Sequence, residues 1–177
     1  MDIVQLHDLR FRPYIPAGAI QQRIKELAME MNRDLKHENP LFIGILNGVF
    51  MFAADLMKEL QFNCEIIFVR YASYNGTKSS GSLEEVFGIT HELKGRNIVI
   101  IEDIIDTGQT MNKFLDKIKT FHPESVRIAS LLFKPDSLEH NIEIDYLGFS
   151  VPNEFLVGYV LDYDGLGRNL KSIYVKC

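Results

Sequence analysis

Cysteine is scarce in this chain: Cys64 and Cys177 are the only two among 177 residues. A pair so widely spaced, with one member at the last position, builds no disulfide framework and fits a reducing compartment. Neither has a histidine beside it in the pattern of an activated nucleophile, so Cys64 reads as a strand residue. The five histidines are scattered and show no metal-ligand spacing. No apolar run is long enough to cross a bilayer. The nearest, Leu41 to Met57, is broken by Asn47-Gly48, contains Asp55 and falls short of the roughly 20 residues a span requires. It reads instead as a buried strand, a turn and a helix. Residues Met1 to Pro16 mix acids with bases and lack a signal-peptide core. These absences together predict a cytoplasmic protein with no membrane role.

Basic runs are missing as well. A formal net charge of −5 and a pI near 5.5 argue against a dedicated nucleic-acid binder, which is usually basic, although a local basic pocket is compatible with them. The two-glycine, lysine-terminated pattern of a Walker loop is absent, and Gly165-Leu166-Gly167 lacks the third glycine of the dinucleotide fingerprint. No internal repeat, low-complexity block or linker divides the chain. One domain over residues 1–177 is the expectation at this length.

What is present is an alternation of helical and strand periodicities. Ala17 to Lys36 carries one apolar stripe (Ile20, Ile24, Leu27, Ala28, Met31, Leu35) with polar residues opposite, so it predicts an amphipathic helix that Asn39-Pro40 ends. Leu41 to Leu46 reads as a buried strand. Asn47-Gly48 then turns into a helix from about Val49 to Leu60 that is apolar nearly all round. Such a helix is either central or covered by another subunit, and its composition points to a homodimer or homotetramer. Cys64 to Tyr71, Glu85 to Thr90, Ser125 to Phe133 and Asp145 to Val151 read as further strands. Residues 73–84 form a Gly- and Ser-rich connection, long enough to be either a lid or plain disorder. The pattern predicts an α/β fold: a central, mostly parallel sheet flanked by helices, with a late segment folded over one end of the sheet.

The densest chemistry lies between Asn97 and Met111. Ile98 to Ile101 reads as a strand buried on both faces. Glu102 and Asp103 stand where that strand should end. Asp106 precedes the loop Thr107-Gly108-Gln109-Thr110, and a helix follows with Met111, Phe114, Leu115, Ile118 and Phe121 on one face. Ligands of open α/β sheets collect beyond the carboxyl ends of strands, and free N–H groups at a helix start favour phosphate. Gly108 lets the backbone approach a ligand, and Thr107 and Thr110 supply hydroxyl donors. The acidic pair repels phosphate but accepts hydrogen bonds from sugar hydroxyls, or holds Mg2+. A ligand with a phosphate at one end and a sugar diol beside it satisfies the stretch. The plainer alternative is an ordinary strand–loop–helix junction with solvated acids.

Several hydrophobic residues, two acids, two more hydrophobic residues and then Asp-Thr-Gly-x-Thr resemble the 5-phosphoribosyl-1-pyrophosphate (PRPP) signature of the type I phosphoribosyltransferases, in its hypoxanthine-guanine form. The resemblance extends from about the second strand to Arg168. It includes Ser73-Tyr74 of the lid, and Tyr159-Val160-Leu161-Asp162-Tyr163, similar to the family's Gly-Tyr-x-Leu-Asp-Tyr. It implies a sheet with a lid over about 73–84 and a hood formed by residues about 135–177 with N-terminal ones. It implies the transfer of phosphoribose from PRPP to hypoxanthine or guanine, giving IMP or GMP and pyrophosphate, with Mg2+. A guanine- or xanthine-preferring enzyme and a nucleotide-sensing regulator that binds RNA are the alternatives the same resemblance leaves.

Roles follow position by position as implications of that resemblance. Glu102 and Asp103 face the ribose hydroxyls or hold metal, and Asp106 to Thr110 (Gln109 among them) hold the 5-phosphate. Asp106 is the general base or acid at purine N7. Lys134 contacts the exocyclic oxygen, Phe155 stacks on the purine and the Leu156 backbone pairs with its edge. Asp162 lies near a second Mg2+ and the purine, and Arg168 reaches the pyrophosphate. The pyrophosphate loop, usually Leu-Lys-Gly, reads Leu46-Asn47-Gly48. The backbone role of Gly48 is retained, while the lysine charge is lost at Asn47.

Overall fold

The computed structural model describes residues 2–73, 83–87, 89 and 92–177. In chain order the elements are β1 (Val4–Leu6), β2 (Leu9–Ile15), α1 (Ala17–Asp34), β3 (Leu41–Leu46), α2 (Phe50–Glu59), β4 (Glu65–Ser73) and β5 (Leu83–Phe87). They continue with β6 (Asn97–Ile105), α3 (Gln109–Lys119), β7 (Ser125–Phe133), β8 (Tyr146–Ser150), β9 (Leu156–Val157) and β10 (Ile173–Lys176). Six strands form the main sheet in the order β5-β4-β3-β6-β7-β8, and four form a second sheet in the order β1-β2-β10-β9. Strands β4, β3, β6, β7 and β8 run parallel, and β5 closes the edge antiparallel. The second sheet is antiparallel throughout.

The stripe expected on α1 is the one that is buried: Ile20, Ile24, Leu27, Ala28 and Met31. The helix ends at Asp34, before Asn39-Pro40, because the chain turns at Leu35, whose side chain is fully buried. Its first turn is capped from a distance, where the Ala17 N–H donates to Ser172 Oγ at 3.0 Å. α1 and α2 cover one face of the main sheet and α3 the other. Val99 and Ile101 of β6 accordingly join the first core, and Ile98 and Ile100 the second. That is why this strand reads as an unbroken apolar run.

α2 is less uniform than its composition suggests. Phe52, Ala53 and Leu56 are buried, whereas Phe50 is 45% exposed. Asp55 accepts from Gln21 Nε2 (2.8 Å), Lys58 Nζ (2.9 Å) and the Tyr159 hydroxyl (2.8 Å), so it anchors two helices and a later loop. Cys64 lies just before β4 rather than inside it, half-buried against the core. The returning strand is Leu83–Phe87, earlier than the expected Glu85 to Thr90. Among the described residues no helix is long and apolar enough to cross a membrane.

Candidate active site

The strand carrying the acids is longer than its apolar run. β6 pairs with β7 from Asn97↔Ser125 to Ile105↔Phe133, but with β3 only from Leu41↔Ile98 to Gly44↔Ile101. Glu102 and Asp103 therefore sit within the strand, not at its end as expected. One side of the ladder has stopped and the other continues. Chain order also reverses between β3 and β6, with β4 to one side and β7 and β8 to the other, and such a switch point opens a crevice. The Asn47-Gly48 turn enters it. A Cβ at Gly48 would lie 1.6 Å from Asp103 Oδ2, so only glycine lets the turn rest on that carboxylate.

Burial pushes the Glu102 carboxyl well above its ordinary value, and the adjacent Asp103 charge adds to this. Burial also raises Asp103, against the opposing pull of its hydrogen bonds and of Arg168. The Ile104 N–H donates to Asp103 Oδ1 at 2.8 Å. Glu102 Oε2 is buried with no hydrogen-bond partner. A buried acidic pair with an orphaned acceptor suits a divalent cation. Among the described residues no three acidic, His or Cys side chains converge. Mg2+, which is often held by one or two carboxylates with the rest of its shell from water and phosphate, fits that donor set.

Beyond Asp103 two cavities meet. A cradle of about 110 Å3 is lined by Glu102 and the run Ile104 to Met111. Gly108 opens α3 with φ 79°. Its Cβ position lies 3.0 Å from Leu138 Cδ1 and 3.1 Å from Ile142 Cγ1, so this glycine serves packing as well as backbone approach. The α3 ladder begins with the Asn112 N–H on the Gly108 carbonyl (2.8 Å), leaving the first-turn amides at the cradle. One of them, Gln109 N–H, donates to Thr107 Oγ1 at 3.3 Å.

The second cavity, about 270 Å3, is lined by Asp103, Ile104, Asp106, Lys134, Phe155, Leu156, Leu161, Asp162 and Arg168. Ile104 and Asp106 belong to both. Lys134 stands at the end of β7, where its N–H bonds the Ile105 carbonyl at 3.0 Å. Its Nζ reaches Asp106 Oδ2 at 2.7 Å while the residue stays 8% exposed. Phe155 is 42% exposed. Lys176 N–H donates to the Phe155 carbonyl (3.0 Å), and Leu156 stands opposite Val175. By antiparallel alternation, the N–H and C=O of Leu156 therefore point away from β10, to the open edge of the sheet.

Most residues expected at the site thus converge. Asp162 is already engaged, because its carboxylate accepts the Gly165 N–H (2.8 Å) and an ion pair from Arg168. Arg168 also donates to the Val160 carbonyl. Asn47 does not line either cavity. Ser73 is the last residue of β4, and Tyr74 lies outside the described residues with most of the expected lid. Sequence reasoning passed over Tyr159, whose hydroxyl holds Asp55, and Tyr163, which packs at the back of Phe155. Both stand in the motif already singled out, so the signal was there.

Sheet, crevice and paired cavities define an α/β protein whose ligand site lies at the carboxyl edge of parallel strands. The site suits a ligand with an anionic end, a hydroxylated middle and a flat apolar end. Residues 16–164 match the phosphoribosyl transferase domain. The chain is 42% identical over 157 residues to the hypoxanthine-guanine phosphoribosyltransferase of Streptococcus pneumoniae, covering 88% of this chain and 87% of that one. It is 42% identical over 160 residues, 90% of its length, to the bifunctional protein TilS/HprT of Listeria monocytogenes, but spans only 25% of that relative. The crystal structure of a hypoxanthine phosphoribosyltransferase from Staphylococcus aureus superposes with a TM-score of 0.89 at 33% identity, covering 94% of this chain and 91% of that one. The chain belongs to the phosphoribosyltransferase family.

Proposed function

We propose that the chain transfers the 5-phosphoribosyl group of PRPP to hypoxanthine, and also to guanine, giving IMP or GMP and pyrophosphate. The observation that carries this is the Asp106–Lys134 pair at 2.7 Å on the wall shared by cradle and cleft. A 6-oxopurine presents N7 and O6 side by side on one edge. A carboxylate beside an ammonium complements N7–H and O6, and xanthine differs from hypoxanthine only away from that edge.

The residues divide the work. The first-turn amides of α3, with Thr107 and Thr110, hold the 5-phosphate. Glu102 and Asp103 face the ribose hydroxyls and would hold Mg2+, which supplies charge neutralisation for the departing pyrophosphate. Arg168 offers a fork of donors to the same group. Asp162 supports Arg168 through their ion pair, and the Asn47-Gly48 backbone faces the pyrophosphate. Phe155 stacks on the purine while the Leu156 backbone meets its edge. Asp106 takes the N7 proton as the anomeric carbon accepts the base, and Lys134 stabilises charge on the exocyclic oxygen. Within this reading the chain works as one domain whose second sheet is the hood. It acts as a homodimer or homotetramer, supported by the exposed Phe50 of α2; a sedimenting mass equal to the 20.3 kDa chain would remove that element.

Steady-state turnover on hypoxanthine, guanine and xanthine, with PRPP and Mg2+, tests the reading. IMP formation should lead, and a chain inert on all three would end it. Asp106→Asn is expected to lower kcat by about 10²–10⁴-fold while PRPP still binds. Near-normal turnover would remove Asp106 from the chemistry.

A further inference from the structure

The turn between β1 and β2 touches the purine side of the site through one aromatic residue. Tyr163 follows Asp162 and sits in a tight hairpin, exchanging backbone hydrogen bonds with Leu166 at 2.8 and 3.1 Å. Its hydroxyl donates to Asp8 Oδ1 at 2.7 Å. The His7 ring packs edge-on against it with centroids 5.5 Å apart, and His7 Nε2 lies 3.3 Å from the Asp164 carbonyl. The other side of the Tyr163 ring meets Phe155 at right angles, centroids 5.6 Å apart. Phe11 of β2 completes the cluster, 5.9 Å from Phe155 and 6.3 Å from Tyr163.

Phe155 lines the cleft and has the rings of Phe11 and Tyr163 packed against it. A half-exposed aromatic ring just before a two-residue edge strand turns about χ2 unless something blocks it. An edge-on neighbour is such a block, and edge-to-face pairs are favourable by about 0.5–1.5 kcal/mol. Tyr163 can fill that role only while its own ring is held, and the hydroxyl bond to Asp8 holds it from the opposite end.

We propose that Asp8 and Tyr163 are positioning residues for purine binding, with the β1–β2 turn locking the ring that backs Phe155. Asp8 lies 155 residues from Tyr163 in the chain and touches no group that meets a substrate. Its action reaches the base through Phe155, while the phosphate cradle and acidic pair lie on β6 and α3 and Arg168 is held by Asp162 and the Val160 carbonyl rather than by Tyr163. The inference rests on the purine reading of the cleft.

The test is a comparison of KM values at fixed kcat. Asp8→Ala and Tyr163→Phe should each raise the KM for hypoxanthine about 3- to 10-fold, the range of a weakened aromatic contact. The KM for PRPP, kcat and the melting temperature should hold near the parent values. Asp8→Asn, which keeps an acceptor oxygen, should restore most of the loss. Phe155→Leu serves as the reference for a lost stacking surface. Unchanged hypoxanthine KM in both variants, or equal rises for both substrates, would overturn the proposal. A parent protein that turns over no purine would instead end the reading beneath it.

Discussion

Glu102 is the residue whose environment departs furthest from water. Its carboxyl is buried beside Asp103 with one oxygen unpartnered, and burial raises its pKa well above 4.5. The folded metal-free protein therefore keeps a proton that the unfolded chain releases. Between the ordinary carboxylate range and the raised value the native state binds more protons, so stability falls as pH rises through that window. Metal-free protein should lose melting temperature as pH rises above the ordinary carboxylate range, and Glu102→Gln should flatten that slope and raise stability at neutral pH. A parallel pair of pH profiles for parent and variant would show that the carboxyl ionises normally. The same substitution should weaken Mg2+-dependent PRPP binding, because metal and proton compete for one site. Gly48 gives a second residue-level outcome. Any side chain there collides with Asp103, so Gly48→Ala should displace the carboxylate and raise the KM for PRPP, leaving the hypoxanthine KM close to the parent value.

At the scale of elements, the segment from Gly158 to Asp162 is tied down by contacts that its own backbone does not favour. Tyr159 has φ 42° and Val160 φ 96°, left-handed values that a β-branched residue rarely adopts. Side-chain bonds help hold the segment, Tyr159 hydroxyl to Asp55 of α2 and Arg168 to the Val160 carbonyl, beside the Tyr159 N–H on the Leu170 carbonyl at 2.8 Å and the Val160 N–H on the Arg168 carbonyl at 3.3 Å. Burial pushes the Tyr159 hydroxyl pKa far up, and the bond to Asp55 pushes it further, so it stays a donor across the physiological range. Tyr159→Phe is expected to destabilise the fold by about 1.5–3 kcal/mol, the value of a hydrogen bond to a charged group, as read by denaturant unfolding. A change within about 0.5 kcal/mol would mean that Gln21 and Lys58 hold Asp55 without it. These ties explain what was legible in advance. β3, α1, α3 and β7 were legible because burial on a face imposes a period on local sequence, and Leu41–Leu46 and Ser125–Phe133 are bounded as expected. The second sheet was not, since Val4–Leu6 and Leu156–Val157 are too short to show a period and pair with partners far along the chain. The two acids were legible, but the extension of β6 through them was not, because only the pairing with β7 carries that strand past Ile101. The phosphoribosyl motif was legible as a loop because its chemistry is contiguous. The ion pairs Asp106–Lys134 and Asp162–Arg168 were not, because no local pattern records which cation an acid will meet.

For the whole molecule, the two sheets do not stand apart. Leu156, Tyr159, Val160, Leu161, Ile173 and Val175 lie in the same core cluster as the buried stripe of α1, the inner face of α2, and Val99 and Ile101 of β6. The hood thus shares a core with the main sheet and should unfold with it rather than before it. The cleft is lined from both sides, by Asp103 and Lys134 of the main sheet's strands and loops and by Phe155, Leu156, Leu161, Asp162 and Arg168 of the hood. A ligand seated there stabilises the one folded state that contains both walls, and at a hundred times its Kd the gain is about 2.7 kcal/mol. For a chain of this size that corresponds to a rise in Tm of about 5–10 °C. PRPP with Mg2+ should produce such a rise in a thermal melt. PRPP without metal should produce a smaller one, because the Glu102–Asp103 pair then meets the anionic donor uncompensated. Hypoxanthine alone should shift Tm least, since in the proposed reading it would meet one stacking face and one edge. A single cooperative transition that moves as a unit is expected in every case. An early melting step that the donor leaves in place would show that hood and sheet are separate units, and a PRPP response indifferent to Mg2+ would remove the acidic pair as the metal's seat.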